Sequence, residues 1–210
     1  GVDNRLGGRL AGECLIARGC RNLAFLGELD AIELNERFLG LCDAAAAAGL
    51  PEPTALHVHL ASDVMAEEIA AHVAGLNGRI DGIAAGSDLI AMNTVRALAD
   101  RGIAVPGDIA VTGFDDLPLA EQIIPRLTTI SQHIAEGARA MVSALFARIG
   151  GDDPPLAIEH DDARGQVVQD GLEVGARGVD LAHALFDGSP GIGQLLRHVG
   201  EGAGQAAQFV

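Results

Sequence analysis

Apolar and polar positions along the first 150 residues fall into blocks that switch between two periods. Leu23–Leu26, Leu56–Leu60, Ile80–Ala85 and Ile109–Thr112 are short and apolar or β-rich, with breakers nearby, and read as strands. Helical pattern fills the intervals. The first helix is expected over about 5–18, behind a cap at Asn4 and stopped by Gly19. The second covers about 35–48 and ends in the alanine run Ala44–Ala48. Met65–Ala74 and about Leu89–Asp100 follow, the latter closed by Gly102. This alternation predicts an α/β fold: a parallel sheet sandwiched by helices.

Pro118 to Pro125 reads as a connector, and Leu127–Ser131 as extended chain. Residues 134–149 form an amphipathic helix with Ile134, Ala138, Met141, Val142, Leu145 and Ile149 on one side. Gly150 to Pro155 breaks the pattern. Beyond it the expected strand, Leu156–Ile158, runs into Glu159, His160, Asp161 and Asp162. Helix is conceivable at Leu181–Phe186 and Gly193–Val199, but residues 151–210 read as an atypical acidic, glycine-rich tail.

Composition narrows the function classes. The 210 residues carry 29 acids against 14 basic residues, all arginine, for a formal net charge of -15. Such a surface argues against nucleic-acid binding by this chain alone, because phosphate neutralisation needs basic groups. Cys14, Cys20 and Cys42 show neither a disulfide framework nor metal spacing, so a reduced, cytoplasmic setting is expected. No apolar run reaches the roughly 18 residues of a membrane span. Gly1 opens directly on patterned chain, and the sequence reads as cut from something longer.

Catalytic signatures are missing. There is no GxxxxGK[ST], no GxSxG and no HExxH. Without lysine, Schiff-base chemistry is excluded within this chain. His57 and His59 share one strand face, but two ligands do not make a zinc site. No enzyme activity, metal or cofactor is expected. The polar residues at strand ends remain. Ser87 and Asp88 follow the third strand, and Phe114, Asp115 and Asp116 follow the fourth, where an open parallel sheet holds its ligands. Ser87 or Asp88 could equally cap the next helix. Asp115 is read as ligand-facing and Asp116 as structural. Arg37 has a donor fork suited to a carboxylate or polyol, with a plain ion pair to Glu33 or Glu36 as the alternative. Phe114 could stack on a ring or belong to the core. Asp3 and Asn4 head the first helix, where capping is the cautious reading. Gly7 and Gly8 inside that helix cost stability unless something packs closely against them.

These segments together resemble the lactose/galactose repressor (LacI/GalR) family. The likeness is carried by Gly1-Val2-Asp3-Asn4 with Gly7-Gly8, by Leu23-Ala24-Phe25-Leu26-Gly27, and by Arg37-Phe38-Leu39-Gly40. It continues through Asp81-Gly82-Ile83, Ser87-Asp88, and Val105-Pro106-Gly107-Asp108-Ile109-Ala110-Val111. Gly113-Phe114-Asp115-Asp116 and Leu127-Thr128-Thr129-Ile130 complete it, so it covers roughly residues 1–150.

The resemblance implies a two-lobed effector-binding fold of the type I periplasmic-binding-protein kind, mostly its C-terminal lobe. Residues 1–127 would form that lobe, with a crossover at 1–4. Residues 128–150 would cross to an incomplete N-terminal lobe, and 151–210 would be the tail, resembling nothing in the family. It places Arg37 on a ligand-contacting arginine, Asp115 on a ligand-binding carboxylate, Ser87 at a cleft-facing position and Asp3 near the cleft. No aromatic stands near Ser62-Asp63, where the purine-binding branch has one, so a sugar or polyol effector is favoured over a purine. Cys20 stands where the family usually has histidine. The implied function is a fragment of a ligand-responsive transcriptional regulator. Its partners would be a small effector, a second copy in a homodimer, and operator DNA through an absent N-terminal head. A sugar-binding protein of a transport or sensing system is the alternative; an enzyme on the same sheet is a third.

Overall fold

The computed structural model describes residues 2–60, 63–76 and 78–151, and the backbone of 166–169 and 172–174. The elements run α1 (Asn4–Ala17), β1 (Leu23–Gly27), α2 (Ile32–Ala47), β2 (Thr54–His57), α3 (Met65–Gly75), β3 (Gly82–Ala85), α4 (Asp88–Ala99) and β4 (Ala110–Thr112). A 3-10 turn at Pro118–Glu121 precedes β5 (Thr129–Ser131), α5 (Ile134–Ile149), β6 (Gln166–Gln169) and β7 (Leu172–Val174).

β1 to β4 form a parallel sheet in the order β2-β1-β3-β4. Every residue of β1, β3 and β4 is buried, which is why these strands are continuous apolar runs rather than alternating ones. β2 is the edge, and Thr54 and Ala55 are exposed. The chain leaves β1 toward β2 on one side and returns to β3 on the other. Right-handed crossovers then put α2 on one face and α3 and α4 on the opposite one. The helix pairing agrees: α1 packs on α2, and α3 on α4. Phe25, Leu26 and Ile83 of the strands close the core with Leu15, Leu41, Ile69, Ile90 and Leu98 of the helices.

The α1–α2 contact explains the glycines inside α1. A Cβ on Gly8 would strike the Arg37 carbonyl, and one on Gly40 the Arg5 carbonyl. The two backbones approach so closely that only glycine fits at these crossing points.

Several boundaries differ from the sequence reading. Asp3, not Asn4, caps α1: its carboxylate accepts the Leu6 N–H at 2.9 Å. α2 begins at Ile32 rather than near 35, with Glu33 in its first turn, where a carboxylate suits the helix dipole. β6 and β7 were not expected. They pair antiparallel, and β6 pairs antiparallel with β5. Gln-Val-Val-Gln is too short to stand out beside the surrounding glycines and acids. The segments Leu156–Ile158, Leu181–Phe186 and Gly193–Val199, and Gly1, Ser62 and Asn77, lie outside the described residues.

A candidate ligand site at the strand ends

The order of the sheet reverses between β1 and β3, and the crevice beyond their carboxyl ends is where such sheets hold ligands. Arg37 occupies that place. It projects from α2, is 7% exposed, and donates Nη1–H to the carbonyl of Gly86, just past β3, at 2.5 Å. Its Nε–H donates to Asn4 Oδ1 at 2.9 Å. Its guanidinium lies over the Phe114 ring, 3.5 Å from the centroid, a cation–π contact strengthened by desolvation. Burial lowers the pKa of Arg37 from its usual value; Asp115, Glu33 and Asp88 oppose that shift.

Asp115 lies 3.8 Å from Arg37 Nη1, with 24% of its side chain exposed. Burial pushes its carboxyl up, opposed first by Arg37, then by Gln132 and the Asp88 backbone N–H. Gln132 donates Nε2–H to Asp115 Oδ1 at 2.5 Å. The backbone at Asp115 has φ 121° and at Asp116 φ 59°. Non-glycine residues held there cost of order 1–3 kcal/mol each and gather at functional sites. The Asp115 N–H donates to the Ile130 carbonyl at 2.9 Å and the Gly113 N–H to Thr128 at 2.8 Å, so this turn runs parallel to β5.

The other expected residues fall differently. Ser87 is half-buried and caps α4, accepting the Ile90 N–H at 3.3 Å. Asp88, expected to face ligand, is 0% exposed. Its Oδ2 accepts the Leu117 N–H at 2.8 Å and its Oδ1 the Thr129 hydroxyl at 2.5 Å. Its ligand-facing role is therefore replaced by an internal one. Phe114 is 2% exposed, a core ring beneath Arg37 and against Gly7. Asp3 is exposed and caps α1. Asn4 and Gln132 bond Arg37 and Asp115 without a signal for this in the sequence. Asn4 has the position of a helix cap, and Gln132 sits one residue past a run that shows only strand character.

Elsewhere, the Cys20 thiol is buried, donates to the Asp81 carbonyl at 3.3 Å and is pushed up to about 11 by burial, so it is a poor nucleophile. His59 Nδ1 is 2.7 Å from Glu68 Oε1. Among the described residues no group of three or more histidines, cysteines or carboxylates could hold a metal, and no helix is long and apolar enough to cross a membrane.

A helix-covered parallel sheet with an Arg–Asp pair at its switch point is the architecture of a ligand-binding domain. Residues 13–186 match the family model described as the periplasmic binding protein-like domain, and the chain belongs to this family as an effector-binding domain of the LacI/GalR type. The match runs past residue 150, where the sequence reading had ended the resemblance. HTH-type transcriptional regulator RegA of Clostridium saccharobutylicum is 31% identical over 166 residues, 76% of this chain and 50% of that protein. The ribose operon repressor of Halalkalibacterium halodurans is 31% identical over 151 residues, 70% of this chain and 44% of its own. A LacI family regulator from Enterococcus faecium, solved with bound ribose, superposes with a TM-score of 0.64 at 28% identity. That superposition covers 71% of this chain and 56% of the other. The chain thus spans about half the length of the curated relatives it matches.

Proposed function

We propose that Arg37 and Asp115, supported by Asn4, Gln132 and Ser87, bind a sugar or polyol effector, and that the whole protein is a ligand-responsive DNA-binding transcriptional regulator. The observation that carries this reading is the buried Arg37 fork beside a partly exposed Asp115 at the sheet's switch point. Such a pair offers donors and acceptors together, as vicinal hydroxyls require. The ribose operon repressor and the ribose-bound neighbour support a pentose as the first ligand to test. In this reading residues 1–127 are the C-terminal lobe, and β5 and α5 lead into the N-terminal one. Effector binding then shifts the balance between two lobe arrangements and, through it, the affinity of a homodimer for operator DNA. Calorimetric titration of the parent protein with ribose and other sugars tests it. Saturable binding that is lost in Asp115→Ala supports the reading; no heat with any sugar, or unchanged affinity in Asp115→Ala, overturns it.

A further inference from the structure

Asp88 is a buried carboxylate that the ligand site does not use. Its backbone and side chain tie the start of α4 to two other pieces of chain, the Asp115 turn and β5. The Asp88 N–H donates to the Phe114 carbonyl at 2.7 Å, at the root of the Asp115 turn. Oδ2 takes the Leu117 N–H, at the far end of the same turn. Oδ1 takes the hydroxyl of Thr129 in β5, and that hydroxyl oxygen in turn accepts the Asp116 N–H at 3.3 Å. Gly113 leaves no room between: a Cβ there would meet Asp88 Oδ1. Asp115 and Asp116, the two positive-φ residues of this turn, therefore lie inside a loop whose two ends are fastened to one residue, at Phe114 by the Asp88 backbone N–H and at Leu117 by its carboxylate.

We propose that Asp88 is a positioning residue that holds the Asp115 carboxylate and strand β5 as one mechanical unit. A displacement of Asp115 on binding a ligand is thereby passed to β5. This rests on the effector reading above only for what pulls on Asp115; the coupling itself does not need a ligand. The charged groups acting on Asp88 are Asp115 and Asp116 from the turn and Arg37 from α2.

Amide hydrogen exchange on the full chain tests it. Thr129→Val keeps the shape of β5 and removes one arm. Exchange at residues 113–117 and 127–131 should rise about tenfold or more, while 23–27 in β1 stays unchanged. Asp88→Ala, which also frees the Leu117 N–H, should do at least as much, and the two together should fall short of the sum of the single effects, because they share the Thr129–Asp88 contact. Asp88→Asn, which keeps an oxygen for Leu117 and an amide for Thr129, should restore most of the protection. Faster exchange spread evenly over the chain, additive effects, or failure of Asn to rescue would overturn the proposal: the first two place the loss outside the shared contact, and the third makes the charge, not the hydrogen bonds, the requirement. Titration of wild type with ribose separates the two readings. If ribose and other sugars do not bind while the exchange pattern holds, the effector reading falls and the coupling stands. If Thr129→Val leaves 113–117 protected, the coupling falls whatever binds.

Discussion

Arg37 is the side chain on which the site depends. Four groups meet it: the Gly86 carbonyl, Asn4, the Phe114 ring and, more loosely, Asp115. Arg37→Met should cost about 2–4 kcal/mol, because it strands a buried carbonyl and leaves Asp115 without its cation. Arg37→Lys should recover only part, since an ammonium cannot fork between Gly86 and Asn4 while lying flat on Phe114. Urea unfolding followed by circular dichroism reads both. Asp88 gives the opposite lesson. Burial raises its pKa from 3.8 to about 6, so the folded chain holds this proton more tightly than the unfolded one. Between those values the native state binds more protons, and stability falls as pH rises through the window. Asp88→Asn removes this dependence. Its stability relative to wild type should be lowest near pH 4 and rise by as much as about 3 kcal/mol by pH 7. A flat difference across that range would show that the carboxyl does not titrate between those values. Sequence alone marks the acid pair at 115–116 and the arginine at 37 as polar groups at strand ends. It cannot say which carboxylate turns inward, because that depends on where Thr129 and Leu117 arrive from 29 to 41 residues away.

Elements were legible where one period dominated. β1, β3 and β4 are fully buried apolar runs, and α4 is stopped by Gly102 at φ 69°. β2 reads less well because edge exposure dilutes its pattern, and β6 and β7 because pairing with β5, not local preference, makes them strands. Glycines show the same division. Helix propensity predicts that any glycine in a helix gains about 1 kcal/mol on changing to alanine. Among the described residues nothing comes within 4 Å of where a Cβ on Gly137 in α5 would sit, so Gly137→Ala should gain about 0.5–1 kcal/mol, the bare propensity. Gly8→Ala should instead lose about 2 kcal/mol or more, because its Cβ meets the backbone of α2, which cannot step aside as a side-chain tip could. Midpoints of chemical unfolding for the two variants should move in opposite directions. Equal shifts would mean that α1 and α2 are not in backbone contact.

At the scale of the whole molecule, burial divides the described chain unevenly. The core gathers around the parallel sheet, whereas no residue of α5 is buried. Ile134, Met141, Val142, Leu145, Phe146 and Ile149 are each more than half exposed, though their spacing is that of a helix face made for packing. An apolar row of this length is uncommon on the surface of a monomer and binds apolar probes readily. The 210-residue chain should therefore enhance the fluorescence of a hydrophobic dye, and Leu145→Gln with Phe146→Gln should remove much of that signal. The melting temperature of the parallel-sheet unit should move by no more than a degree or two, because neither side chain contributes to its core. Loss of dye binding with an unchanged melt would locate the sticky surface on α5. A large fall in the melt would show that these side chains are packed after all, and that the sheet and α5 share one core.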